Sequence, residues 1–165
     1  MASELGVQTI QHTNGTDALT IDSSGRIIQS QRLYVLADIS QTAGTNVYVT
    51  HSGSEAIKFG YVVEGTSSLL NTTTFKFQAP VAGLYILQAA LHFNSGPFQS
   101  SFHQNDTLKG INWTPTNGTQ HTSFTFNCAA GDQCHIESDG SEGIFNGGGS
   151  SGSNRYTWAT WSKVG

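Results

Sequence analysis

Apolar positions in this chain alternate with polar ones instead of recurring at helical spacing. Short segments rich in Val, Ile, Tyr, Phe and Thr are separated by clusters of Gly, Asn, Asp and Ser, which predicts strands joined by tight turns. The clearest such segments are Asn46 to Thr50, Ile57 to Val63, Thr74 to Gln78, Leu84 to Phe93, His121 to Cys128, His135 to Glu137 and Arg155 to Val164. No window holds apolar residues at the three-and-four spacing of an amphipathic helix beyond about two turns, so helix is at most a minor component. Seven or eight strands in about 130 residues make one all-β sandwich of the Greek-key or jelly-roll kind.

The first thirty residues differ in kind. Val7 to His12, Asp17 to Asp22 and Arg26 to Gln31 read as three short strands, joined by the two-residue turn signal Asn14-Gly15 and by Asp22-Ser23-Ser24-Gly25. The resulting meander has too few apolar side chains to close a core alone. Residues 1–32 are therefore expected to be an N-terminal attachment segment, with Leu5, Val7, Ile10, Leu19 and Ile21 as the residues that pack against something else. Residues 33–165 are expected to form the head.

Composition narrows the function. Of 165 residues, 67 are Gly, Ser, Thr or Asn and only 18 carry charge, so hydroxyls and amides make the surface. The formal charge of −4 comes without any run of Lys or Arg. Nothing supplies the basic patch that neutralises phosphates, and nucleic acid is not an expected partner. No basic stretch followed by an apolar one opens the chain, and no segment approaches eighteen consecutive apolar residues, so neither a classical leader nor membrane insertion is expected.

The segment Leu84 to Phe93 is unusual in being apolar on both faces. Alternate side chains of a strand point to opposite faces, so Tyr85, Leu87, Ala89, Leu91 and Phe93 share one side, while Leu84, Ile86, Gln88, Ala90 and His92 share the other. A sandwich strand normally has one apolar and one wetted face. The second face is expected to meet another subunit, or to be covered by the chain's own loops or N-terminal segment.

Candidate chemistry is sparse. Gly148-Gly149-Ser150-Ser151-Gly152 matches the nucleophile-elbow pattern, but it lies in a low-complexity run with no helix after it. Cys128, Cys134 and His135, with His121, lack the two-to-four residue pairing of zinc ligands. Glu137, Asp139 and Glu142 lack a calcium-loop pattern and read as a solvated turn. No paired carboxylates suited to glycoside hydrolysis stand out. The expectation is no enzyme, no cofactor and no metal. Cys128 and Cys134, separated by five residues, suit either a disulfide or two reduced thiols. The stretch from Phe98 to Thr119 reads as a long irregular segment and a candidate ligand-binding loop, with Phe98, Phe102 and Trp113 as its aromatic contacts.

Two resemblances extend this reading. Phe77, Ala79-Pro80, Gly83, Tyr85 and Leu87 resemble the signature of the globular head of complement component 1q and its tumour-necrosis-factor relatives, and Gly131-Asp132-Gln133-Cys134 is similar to that family's Gly-Asp-x-apolar strand start. Cys134 stands where an aliphatic is usual, and the Gly-rich stretch Asn146 to Asn154 also departs from the pattern. The resemblance implies a jelly roll and a homotrimer, with Leu84, Ile86, Gln88, Ala90 and His92 lining the threefold axis. The stretch from Thr13 to Ile27 resembles the opening of many tailed-bacteriophage virion proteins. Together they imply a virion structural protein, a trimeric capsid decoration or appendage whose partners are itself and capsid or tail proteins. The alternative is a tail-fibre tip that binds a host-surface glycan.

Overall fold

The computed structural model describes residues 8–11, 13, 17–28, 33–39, 47–50, 55–93, 97–115, 118–139, 143–146 and 157–164. The chain forms two compact units, Met1–Leu33 and Tyr34–Gly165. The first is a three-stranded antiparallel meander of β1 (Thr9–Gln11), β2 (Asp17–Ile21) and β3 (Ile27–Ile28). The turn after β2 is held by Asp22, whose carboxylate accepts from the Ser24 and Arg26 amides at 2.9 Å each and from Arg26 Nε at 2.7 Å. Gly25 closes it at φ +77°, a conformation that costs glycine nothing. Asn14 and Gly15, read as the other turn, lie outside the described residues.

The second unit contains β4 (Tyr34–Asp38), β5 (Val47–Thr50), β6 (Glu55–Ala56), β7 (Tyr61–Gly65), β8 (Leu70–Asn71), β9 (Lys76–Gln78), β10 (Gly83–Phe93), β11 (Phe98–Gln104), β12 (Thr107–Thr114), β13 (Gly118–Cys128), β14 (Gln133–Asp139), β15 (Gly143–Asn146) and β16 (Trp158–Val164). One sheet runs β5-β15-β10-β16-β4-β7, with β13 also paired to β10; the other runs β12-β11-β14-β9-β8, with β6 paired to β14. All these pairings are antiparallel. The unit is thus an all-β jelly-roll sandwich.

The core between the sheets is aromatic. Trp161 of β16 is fully buried, stacks on Phe77 of β9 at 6.0 Å and meets Phe59 edge-on at 5.5 Å. Phe77 in turn meets Tyr85 of β10, and Phe102 of β11 packs on Phe124 and Phe126 of β13 at 5.1 and 4.7 Å. Each contact except that of Trp161 with Phe59, which lies outside any strand, joins a strand of one sheet to a strand of the other.

Two expectations need correction. Ile57 and Phe59 do not belong to a strand, although both are buried core residues. They are apolar because they plug the sandwich between β6 and β7, and apolar character alone does not distinguish a ladder from a buried connection. Phe98 to Thr119 is not an irregular segment either. It holds the hairpin β11–β12 and the start of β13, and its two-residue turn is Asn105-Asp106, with φ of +50° and +58°. The alternation of β11 is disguised because Ser100 takes a core position, where its hydroxyl donates to Gln120 Oε1.

Next to this hairpin, Asp132 ties three segments together. Its carboxylate accepts from Asn105 Nδ2 at 2.8 Å, Gln104 Nε2 at 2.8 Å and the Ala129 amide at 2.9 Å. The Asn105 bond, then the Ala129 and Gln104 bonds, hold its pKa below the ordinary carboxylate value. A group with a lowered folded-state pKa stabilises above its unfolded value, near 3.9, and loses that contribution as pH falls through the folded one. We therefore expect stability to drop on acidification below about pH 4, and Asp132→Asn to flatten that drop in urea unfolding followed across pH; an identical acid profile would show that Asp132 does not contribute. Trp161→Ala should lower stability by about 3–5 kcal/mol in the same assay, whereas a loss under about 1 kcal/mol would contradict the central position of this ring.

Candidate functional site

The outward face of the β10 sheet is the first candidate surface. Tyr85, Leu87, Ala89, Leu91 and Phe93 are all 2% exposed or less, so β10 commits that side entirely to the core. The other side then faces out by alternation. Leu84 is 37% exposed, Gln88 is exposed, and Ile86 and His92 are half-buried. Ala90 differs: it is only 2% exposed, set in register between Trp158 of β16 and His121 of β13. Ala90 is thus covered by its own sheet and presents little to a partner, contrary to its expected place in an interface. His92 Nδ1 lies 2.9 Å from Thr119 Oγ1, so this ring is held by a neighbouring hydroxyl.

The register shows that the apolar character is lopsided. Toward β13, the neighbours of the outward β10 residues are Asn127, Thr125, Ser123, His121 and Thr119. Toward β16 they are Val164, 42% exposed, Ser162, Thr160 and the half-buried Trp158, and β4 adds the half-buried Leu36 beyond Thr160 and the buried Asp38 beyond Trp158. Leu84, Ile86 and Val164 therefore make an apolar area at one end of the β10-β16-β4 half of the sheet, and Trp158 and Leu36 stand on the same face beyond Ser162, Thr160 and Gln88. Contiguous exposed apolar area of this kind marks contact surfaces.

The expected aromatic binding loop does not exist as such. Phe98 and Phe102 are each 1% exposed and sit in the core, Phe98 stacked on Phe93. Trp113 is different: it lies on β12, an edge strand, and is 59% exposed, with Ile111 at 54% and Leu108 at 49%. Trp113, Ile111 and Leu108 stand opposite Gln99, Ser101 and His103 of β11, on the outward face of the second sheet.

That face also holds a cluster whose members are scattered along the chain. His103 and His135 are direct partners across β11 and β14, and Glu137 follows His135 by two residues on the same face. His135 Nε2 is 2.8 Å from Glu137 Oε1, and His103 Nε2 is 3.4 Å from Glu137 Oε2 and 3.0 Å from Ser101 Oγ. His135 is 2% exposed, and burial lowers its pKa against the opposing pull of the Glu137 hydrogen bond. A cleft lined by Ala56, Lys58, Phe75 and Lys76 opens onto His135 and Glu137. Glu137 is therefore not part of a solvated turn. Asp139 continues β14, and Glu142 lies outside the described residues, as do Gly148 to Gly152. The repeat His-x-Glu in a strand was the legible signal for a shared face; His103 arrives only through the β11–β14 register.

The same alternation separates the other metal candidates. Cys134 points to the core and His135 to the opposite side, so they cannot share an ion, and His121 is exposed on the other sheet. Cys128 and Cys134 are free, buried thiols with their sulfurs 3.7 Å apart, not the disulfide that their spacing allows. Burial pushes both thiols above the ordinary range. Of the expected attachment residues, Leu5 and Val7 lie outside the described residues. Ile10 is 53% exposed, and the β1–β2 and β2–β3 registers set it opposite Leu19 and Ile21 opposite Ile27, itself 66% exposed.

The sandwich is of the tumour-necrosis-factor and complement 1q type. The chain is similar in fold to Eiger TNF from S. frugiperda (TM-score 0.56, 13% identity, 81% of this chain and 93% of that one) and to the globular domain of zebrafish complement 1qA (TM-score 0.54, 12% identity, 80% and 95%). It is also similar to murine APRIL, with TM-score 0.59 and 9% identity over 81% of this chain and all of that one. No family model and no curated protein matches its sequence. No helix among the described residues is long and apolar enough to cross a membrane.

A buried thiol with a raised pKa is a poor nucleophile. We expect the two cysteines of the native protein to react with a disulfide reagent at least about 10-fold more slowly than in urea, with two equivalents released on unfolding. Rapid native labelling would show that they are accessible; absence of titratable thiol in urea would show that they are bonded.

Proposed function

We propose that this chain is a non-enzymatic structural protein of a bacteriophage virion: a homotrimeric decoration or appendage protein with an outward jelly-roll head, attached through its N-terminal meander. The observation that carries the reading is the outward apolar group Leu84, Ile86 and Val164, with Trp158 and Leu36 on the same face, which contact with a partner would remove from water. A second copy is the partner this face suits best, because its acidic groups are already engaged or buried, Glu64 accepting from Tyr34 and Asp38 only 3% exposed, and oligomers are mostly built from copies. The fold is consistent with this, since the resemblance to tumour-necrosis-factor and complement 1q heads implies a homotrimer with this face on the threefold axis. The meander supports attachment: Ile10 and Ile27 leave apolar surface on a sheet too small to fold on its own. The resemblance of Thr13 to Ile27 to virion protein openings supplies the setting.

A second reading is favoured by one feature, the exposed Trp113 beside the Gln99 amide on the outward face of the second sheet. A ring next to an amide suits stacking on a sugar, and a fibre tip gripping a host-surface glycan would use it.

Ile86→Asp places an unpaired carboxylate in the proposed contact, which costs several kcal/mol. Sedimentation velocity should show the assembly loosened by roughly 100-fold in concentration, with the fold retained. An unchanged sedimentation coefficient would remove Ile86 from any interface. Antibody labelling of virions places the protein: on capsid faces for decoration, on tail tips for receptor binding. Virions free of label would overturn both readings.

A further inference from the structure

The outward face of the second sheet brings two imidazoles and a carboxylate to one point, and none of the roles described above uses them. We propose that His103, His135 and Glu137 bind one divalent transition-metal ion of the zinc class, with its remaining position supplied by water from the adjoining cleft.

The donor atoms of the three residues all lie within 4.8 Å of one another. Two ligands of a tetrahedral ion with bonds of about 2.0–2.1 Å stand about 3.3 Å apart. His103 Nε2 and Glu137 Oε2, at 3.4 Å, already have this spacing. His135 Nε2 lies 2.8 Å from the other oxygen, Glu137 Oε1, so the carboxylate must turn to present one oxygen to both rings as the shared proton is replaced by the metal. That proton has a place to go. Nδ1 of His135 is buried without a hydrogen-bond partner, as is Nδ1 of His103, so each ring can carry its proton there while Nε2 ligates, at the cost of an unpaired N–H that metal binding must offset.

The donor set chooses the ion. Two nitrogens and one carboxylate suit zinc and its neighbours, whereas calcium and magnesium require six or more oxygens in most sites. The ladder supplies rigidity: His103 faces His135, Ser101 faces Glu137, and all four side chains are on two adjacent strands. The nearby cations are already engaged, Lys76 with Asp106 and Lys58 with Glu55, which lessens their repulsion of a second positive charge. Bound there, the ion would cross-link β11 to β14 at residues 32 apart in sequence, and would add stability by mass action.

The full chain, stripped of metal by chelator and dialysed, is titrated with Co(II) and followed by visible absorption, with Zn(II) binding measured by calorimetry. One equivalent per chain with an intense four-coordinate Co(II) band is expected, along with a rise in melting temperature with zinc. His103→Asn and Glu137→Gln should each weaken binding at least about 10-fold, while Cys128→Ser with Cys134→Ser leaves it unchanged. Both single variants are first checked by circular dichroism; if His103→Asn fails to fold, Glu137→Gln decides. Imidazole 15N spectra of the unsubstituted protein give an answer that needs no variant, since zinc should shift Nε2 of two histidines. Absence of binding, binding indifferent to His103 and Glu137, or loss of binding only in the double cysteine variant would each overturn the proposal.

Discussion

The aromatic layer between the two sheets is the contact on which the rest of this head depends. Trp161, Phe77 and Tyr85 join β16, β9 and β10, and Phe102 with Phe124 and Phe126 joins β11 to β13. Rings of this size dominate core energetics, and here they also determine direction. Once Tyr85 and Trp161 point inward, the period of two sends Ile86 and Trp158 outward, and no local adjustment reverses this without turning every side chain of both strands. Which residues make the outer face is a consequence of how the core is filled.

That constraint divides the sandwich into two outer surfaces of different chemistry. The β10-β16-β4 face sets Leu84, Ile86, Val164, Leu36 and Trp158 among hydroxyls and an amide, which suits contact with copies of itself. The β11-β12-β14 face carries two histidines, a glutamate and an exposed tryptophan, which suits ions or ligands. The fold does not choose between functions; the side chains left over after the core is packed do. Both surfaces use rigid strands, so geometry on each is set by ladder register and not by a loop.

Much of this was legible beforehand, for a physical reason. Leu84 to Phe93 is long, apolar on both sides and free of Gly and Pro, so its strand character and its two faces followed from alternation alone. Phe98 and Phe102 were misread because Ser100, Ser101 and Gln99 around them look like surface, whereas Ser100 is buried against Gln120. A hydrogen bond between residues twenty positions apart makes a serine behave as core, and periodicity has no access to it. The His103–His135–Glu137 cluster stayed hidden for a related reason. Its two halves lie 32 residues apart, and only the pairing of β11 with β14 brings them together. Ala90, apolar and on the expected face, turned out covered because a methyl group between Trp158 and His121 is overshadowed by its larger neighbours.

The central claim is that one chain is only part of the folding and working unit, because the outer face of β10 needs a partner. Native mass spectrometry of the full-length protein at micromolar concentration tests this most directly. A species of three times the 17.6 kDa chain is expected. A monomer as the sole species, at concentrations where the fold is intact, would contradict it.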